Sequence, residues 1–168
     1  ACPAYLSILR QAFPDSDALN AFLGWLQGGY HAILASCHQP APMAVLAGQK
    51  GAGKSLLALI TKYVFGNRVC NPMTAWMGDL VWNDNLLKSE LHLIDDSVGT
   101  TDMRMRKRIG AKFKESNYAG DVEINTRNKS SISMRPVWRT MVCCNETPEN
   151  LSVIPPLEEG IEDKIMLL

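Results

Sequence analysis

Residues 48–55 read Gly48-Gln49-Lys50-Gly51-Ala52-Gly53-Lys54-Ser55, a complete G-x-x-x-x-G-K-[ST] pattern. Its reading decides the fold. Such a loop works only between a buried strand and the start of a helix. The flanks supply both: Met43 to Ala47 is a short apolar run, and Ser55 to Phe65 has helical character and stops at Gly66. The glycines let successive backbone N–H groups turn toward phosphate oxygens, and the helix start behind them adds partial positive charge. The pattern therefore predicts that residues 48–55 hold the phosphates of a nucleoside triphosphate. Lys54 would reach the β- and γ-phosphates, and the Ser55 hydroxyl would ligate Mg²⁺.

A metal-holding acid is then required nearby. Leu91-His92-Leu93-Ile94-Asp95-Asp96 is an apolar strand that ends in two carboxylates. Asp95 is assigned to the metal and Asp96 to the attacking water, since adjacent acids can face different groups. His92, alone in an apolar strand, is read as a core residue. A second strand, Val137 to Cys144, ends at Asn145. An amide beside the acid-bearing strand can orient the water and sense the γ-phosphate, so the candidate catalytic set is Lys54, Asp95, Asp96 and Asn145.

The remaining elements alternate. Asp15-Ser16-Asp17 opens a helix, Gly28-Gly29 is expected to interrupt it, and Tyr30 to Cys37 resumes. A short strand is expected at 68–70, a short helix at 72–80, a polar loop at 82–89 and a charged helix from Thr101 to about Ser116. Val122–Ile124 and Ser131–Met134 form two short strands around a polar tip. The order predicts an α/β fold with a mainly parallel sheet and a hairpin insert. Residues 1–42 are a helical segment and connector, and 43–168 are the core of one domain.

Composition narrows the class. Of 168 residues, 46% are apolar and 20% charged, as in ordinary globular chains. No run approaches the length of a membrane span, and the chain is expected to be intracellular, in a bacterial or virus-infected cytoplasm. Five cysteines without C-x-x-C spacing argue for reduced, buried thiols rather than zinc or disulfides. The absence of an initiator Met suggests a piece of a longer protein. Net charge is zero, but it is segregated: ten Lys/Arg against three acids lie between Arg104 and Arg139, and six acids against Lys164 follow Asn145. That asymmetry suits a nucleic-acid face on one side.

With these pieces in order, the chain resembles superfamily 3 helicases of the AAA+ class, close to the helicase halves of phage and plasmid primase-helicases. Residues 48–55 match Walker A, 91–96 match Walker B with paired acids, and 141–145 followed by Glu-Thr-Pro match motif C. Residues 113–121 with the following hairpin resemble the B′ region. The resemblance implies a Mg²⁺- and ATP-dependent motor, commonly a hexameric ring, acting on single-stranded DNA, with RNA as an alternative. The hairpin tip would grip the strand through Arg127 and Lys129. The basic helix from Arg104 to Lys112 is a second candidate. The family supplies an arginine from a neighbouring subunit, but no Arg follows Arg139 here. Lys164 is the expected substitute, with Arg135 or Arg139 as alternatives. A P-loop nucleotide switch or interaction module, as in phage defence or transposition, and a small-molecule kinase are the competing functions.

Overall fold

The computed structural model describes residues 3–78, 82–95, 100–127 and 129–168. Its centre is a five-stranded, wholly parallel sheet. The strands are β1 (Met43–Gly48), β2 (Val69–Cys70), β3 (Leu91–Asp95), β6 (Arg139–Asn145) and β7 (Ile165–Leu167), in spatial order β2-β3-β6-β1-β7. A separate antiparallel hairpin joins β4 (Val122–Ile124) to β5 (Ile132–Met134).

The central strands are apolar on both faces because helices cover both. Ala44 and Leu46 of β1, with Met141 and Cys143 of β6, face one cluster. It contains Leu9 of α1 (Pro3–Ala12), Phe22, Trp25 and Leu26 of α2 (Ser16–Leu34), and Leu57 and Ala58 of α3 (Lys54–Val64). Met43, Val45, Val142 and Cys144 face the other. There they meet Met73 and Trp76 of α4 (Met73–Met77) and Ile109 and Phe113 of α6 (Met103–Tyr118). Fully buried side chains such as Phe22 and Phe113 each contribute roughly 1.5–3 kcal/mol. The helices α1 and α2 thus pack into the same core as the sheet.

The predicted strands and the hairpin form as read, within a residue or two. Three readings are corrected. Gly28-Gly29 does not interrupt the helix: α2 runs unbroken over 19 residues, opened by Asp15, whose carboxylate accepts from the N–H groups of Asp17 and Ala18. A Cβ on Gly29 would lie 2.8 Å from Arg139 Cγ and 2.8 Å from Phe65 Cζ, so these neighbours demand a glycine in the helix. The 82–89 loop contains a short helix, α5 (Asp84–Leu87), which buries Leu86. The charged helix, expected to end at about Ser116, runs on to Tyr118, so Asn117 is helical and buried and accepts a hydrogen bond from Thr140. A short helix α7 (Pro148–Leu151) and a 3-10 turn at Glu162–Lys164 were not foreseen. Among the cysteines, Cys143 and Cys144 are buried and Cys70 is half-buried, but Cys37 is exposed. No helix among the described residues is long and apolar enough to cross a membrane.

Candidate functional site

All five strands are parallel, so their carboxyl ends share one edge of the sheet. From β1 the chain leaves through α3 on one face. From neighbouring β6 it leaves through α7 on the other. Opposite departures open a crevice between the two strand ends, the usual ligand position in such sheets. The glycine-rich loop sits in that crevice. Gly51 and Gly53 both have φ of +88°, a left-handed conformation that glycine adopts without strain. Gly53 caps α3 with no side-chain bond, so the first N–H groups of the helix remain available to a ligand.

Register brings the polar strand ends together. Gly48 pairs with Asn145, and Asp95 pairs with Cys143. Strand alternation then turns Asp95 and Asn145 to the same face of the sheet as Cys143, the face covered by α3. With a rise of about 3.3 Å per residue and strands about 4.8 Å apart, their Cα atoms are about 8 Å apart. Together with Lys50, Gly51, Gly53, Lys54, Ser55 and Leu56 they line a cleft of about 610 Å³. Leu56 was not anticipated as a lining residue; its position one turn into α3 is the only sequence signal for it.

Lys54 donates from Nζ to the carbonyls of Gly48 and Gln49, both at 2.8 Å. Its charge stands close enough to Cys144 to oppose the upward push that burial gives that thiol. Ala52 completes the loop, its N–H bonded to Gln49 O at 3.2 Å. The cleft therefore offers an ammonium and backbone donors to an anion. The hydroxyl of Ser55 and the carboxylate of Asp95 are hard oxygen donors suited to Mg²⁺. No group of three or more His, Cys, Asp or Glu could hold a metal among the described residues. A cation bound by one carboxylate, one hydroxyl and ligand phosphates needs no such cage. Asp96, the second acid of the sequence reading, lies outside the described residues.

The remaining candidates lie elsewhere. Arg127 and Lys129 are exposed at the hairpin. The hairpin is anchored by Trp138, whose Nε1 donates to Ser116 O at 3.1 Å. Trp82, read from sequence as part of a polar loop, is 44% exposed. Its neighbour Asn83 is strapped to β4: the Asn83 side chain accepts from Asn125 N at 2.6 Å, and Asn83 N donates to Asn125 O at 3.1 Å. The basic helix spends part of its charge internally. Lys107 pairs with Glu158 at 2.9 Å, Lys112 with Glu115 at 2.7 Å, and Arg106 donates to Ile154 O.

Lys164 precedes β7, at the sheet edge opposite the cleft. Its Nζ pairs with Asp163 at 2.7 Å and stands 5.2 Å from the centre of the Tyr118 ring. That pairing pulls the Asp163 carboxyl down, while burial and Asp163 push Tyr118 up to about 12. Arg139 begins β6 at that same far edge and is 3% exposed, so it cannot reach a neighbouring molecule; the reading that offered it as a finger is corrected. Arg135 is exposed and lies 3.6 Å from Asp121. His92 is fully buried, as expected of a core residue. Its ring stacks on Trp138 at 4.6 Å, and neither ring nitrogen has a hydrogen-bond partner among the described residues.

No protein-family model matches this sequence, and no curated protein matches it. Solved structures do. Two apo structures of the NrS-1 C-terminal region align with TM-scores of 0.71 and 0.67, each at 18% identity. The first alignment covers 96% of this chain and 36% of that one; the second covers 85% and 33%. A further apo form of the same region aligns at 0.60, again at 18% identity, over 85% of this chain and 32% of that one. This chain therefore spans about a third of the length of its structural neighbours. At that identity the likeness shows a shared α/β fold.

Proposed function

We propose that this chain is an ATP-hydrolysing motor of the superfamily 3 helicase type, acting on single-stranded DNA. One observation carries the reading: Lys54, Ser55, Asp95 and Asn145, dispersed over ninety residues of sequence, converge on one cleft at the crevice between β1 and β6. The sequence motifs and the likeness to a C-terminal region of NrS-1 support it.

In this reading the triphosphate lies along the loop, and the N–H groups of residues 51–55 and the Lys54 ammonium hold its oxygens. Lys54 leaves the carbonyls of Gly48 and Gln49 to do so. Ser55 and Asp95 would hold Mg²⁺, which would neutralise charge on the bound phosphates. Asn145 orients the attacking water, and Asp96 takes its proton. Lys164, remote from its own cleft, serves the nucleotide of an adjacent subunit in an oligomeric ring. Arg127 and Lys129 hold strand phosphates, and exposed Trp82 offers a face on which a base stacks.

The test is nucleotide turnover measured with and without single-stranded DNA, beside calorimetric titration of a non-hydrolysable ATP analogue. DNA-stimulated turnover, and loss of analogue binding in Lys54→Ala, are expected. Binding without turnover would favour a nucleotide switch. Wild-type binding in Lys54→Ala would remove the site assignment altogether.

A further inference from the structure

Two surfaces of the chain are apolar and exposed, and they differ in shape. The first is a ridge. Leu56, Leu59 and Tyr63 recur at helical spacing along the outer side of α3 and are 47%, 46% and 70% exposed. The inner side of that helix already packs on the sheet through Leu57 and Ala58. The second is a groove of about 350 Å³ on the other face of the sheet. Leu151, Ile154, Pro155, Leu157, Ile165 and Leu167 line it, with Leu157 and Leu167 65% and 67% exposed. Single exposed apolar side chains are ordinary, but contiguous ones mark contact surfaces.

Charge decides what each surface can meet. The sequence holds no Asp or Glu between Asp17 and Asp79, so the charges that flank the ridge along the chain are those of Lys50, Lys54 and Lys62. The groove lies among acids. Glu162 lines it, and Glu158 and Glu159 directly follow Leu157. Glu158 is paired with Lys107, whereas Glu159 and Glu162 are exposed and have no ion pair among the described residues. Arg106 also lines the groove, but its Nη2 donates to Ile154 O at 2.9 Å. Ridge on ridge would set lysines against lysines, and groove on groove would set acids against acids. Only ridge on groove brings opposite charges together and fits a convex surface to a concave one.

We propose that α3 of one copy of this chain docks in the 151–167 groove of the next. The contact is heterologous, so its repetition builds a ring or a filament rather than a symmetric pair. It deepens the oligomeric reading above and rests on it, but not on the nucleotide chemistry. Leu56 directly follows Ser55 of the nucleotide cleft, and Glu162 and Ile165 lie on either side of Lys164 in sequence. Seating the ridge in the groove therefore carries Lys164 of one copy toward the cleft of its neighbour.

The test is sedimentation velocity of the full chain, from dilute to concentrated samples, with and without a non-hydrolysable ATP analogue. The wild type should associate as concentration rises. Leu59→Glu and Leu157→Glu each place a charge at an exposed position, and each should weaken association at least about thirtyfold, the scale of an interface hot spot. Tyr63→Glu repeats the ridge test at a second exposed position. A one-to-one mixture of Leu59→Glu and Leu157→Glu should form heterodimers that grow no further, because only the intact groove of the first and the intact ridge of the second can meet. ATP turnover is read separately: assembly without turnover would remove the motor reading and still support the contact. A wild type that stays monomeric throughout, a variant that associates like the wild type, or a mixture that stays monomeric would each overturn the proposal.

Discussion

Acidification should expose the cost of burying His92. The residue has no exposed surface, and its ring lies on Trp138 at 4.6 Å with the edge of Trp76 at 6.4 Å. Neither nitrogen has a hydrogen-bond partner among the described residues, and burial pushes the imidazole down to about 3. The unfolded chain protonates the same ring near the ordinary value of about 6.5. Protons therefore bind the unfolded state preferentially between these values. Stability from the neutral ring is complete above about pH 6.5 and is lost progressively as pH falls toward 3. At pH 5 the gap is about 1.5 units, or about 2 kcal/mol. For a chain of this size that corresponds to a melting temperature lower by about 4–8 °C. Carboxylates also lose stability in acid, so the comparison must be differential. His92→Leu keeps a similar apolar volume and cannot titrate. Urea unfolding of both proteins at pH 8 and pH 5 measures it: the wild type should lose about 2 kcal/mol more than the variant. Nuclear magnetic resonance of the ring gives a direct check, with no titration of His92 above about pH 4 expected. Equal losses in the two proteins, or a ring titrating near 6.5, would refute the argument.

Two glycines of one helix should respond oppositely to alanine. Gly29→Ala meets Arg139 and Phe65 at 2.8 Å and should cost about 1–3 kcal/mol, whereas Gly24→Ala meets nothing within 4 Å among the described residues and should stabilise by up to about 1 kcal/mol in thermal or urea unfolding. Replacing Arg127 and Lys129 together by Ala should flatten the salt dependence of single-strand affinity by about 1.4 in log–log slope, read by fluorescence anisotropy, with analogue binding intact. Trp82→Ala in the same assay should weaken affinity by about tenfold or more without changing that slope, since stacking carries no counterion release. Mixing Lys164→Ala subunits with Lys54→Ala subunits should restore part of the lost ATP turnover. A mixture no more active than its components would argue against a cation lent between subunits.

The loop at 48–55 was legible in sequence because its requirements are local: glycines that turn left-handed, a strand before them and a helix after. The apolar strands ending at Asp95 and Asn145 were legible for the same reason, since a strand buried on both faces leaves an unbroken apolar run. The hairpin followed from two short strands around a polar tip. Gly28-Gly29 misled, because intrinsic propensity says that two glycines end a helix, while the close approach of Phe65 and Arg139 requires Gly29 inside it. The short helix at Asp84–Leu87 was hidden in polar sequence because what holds it is burial of Leu86 beneath the hairpin. Strand order lay beyond the reach of sequence, since pairing joins residues nearly a hundred positions apart, as Gly48 with Asn145. That order alone turns motifs into a cleft. It also sends Arg139 and Lys164, both cations and both candidates on chemistry alone, to the far edge of the sheet. One is sealed in the core and the other is paired at the surface, because a parallel strand begins at the opposite edge from where it ends.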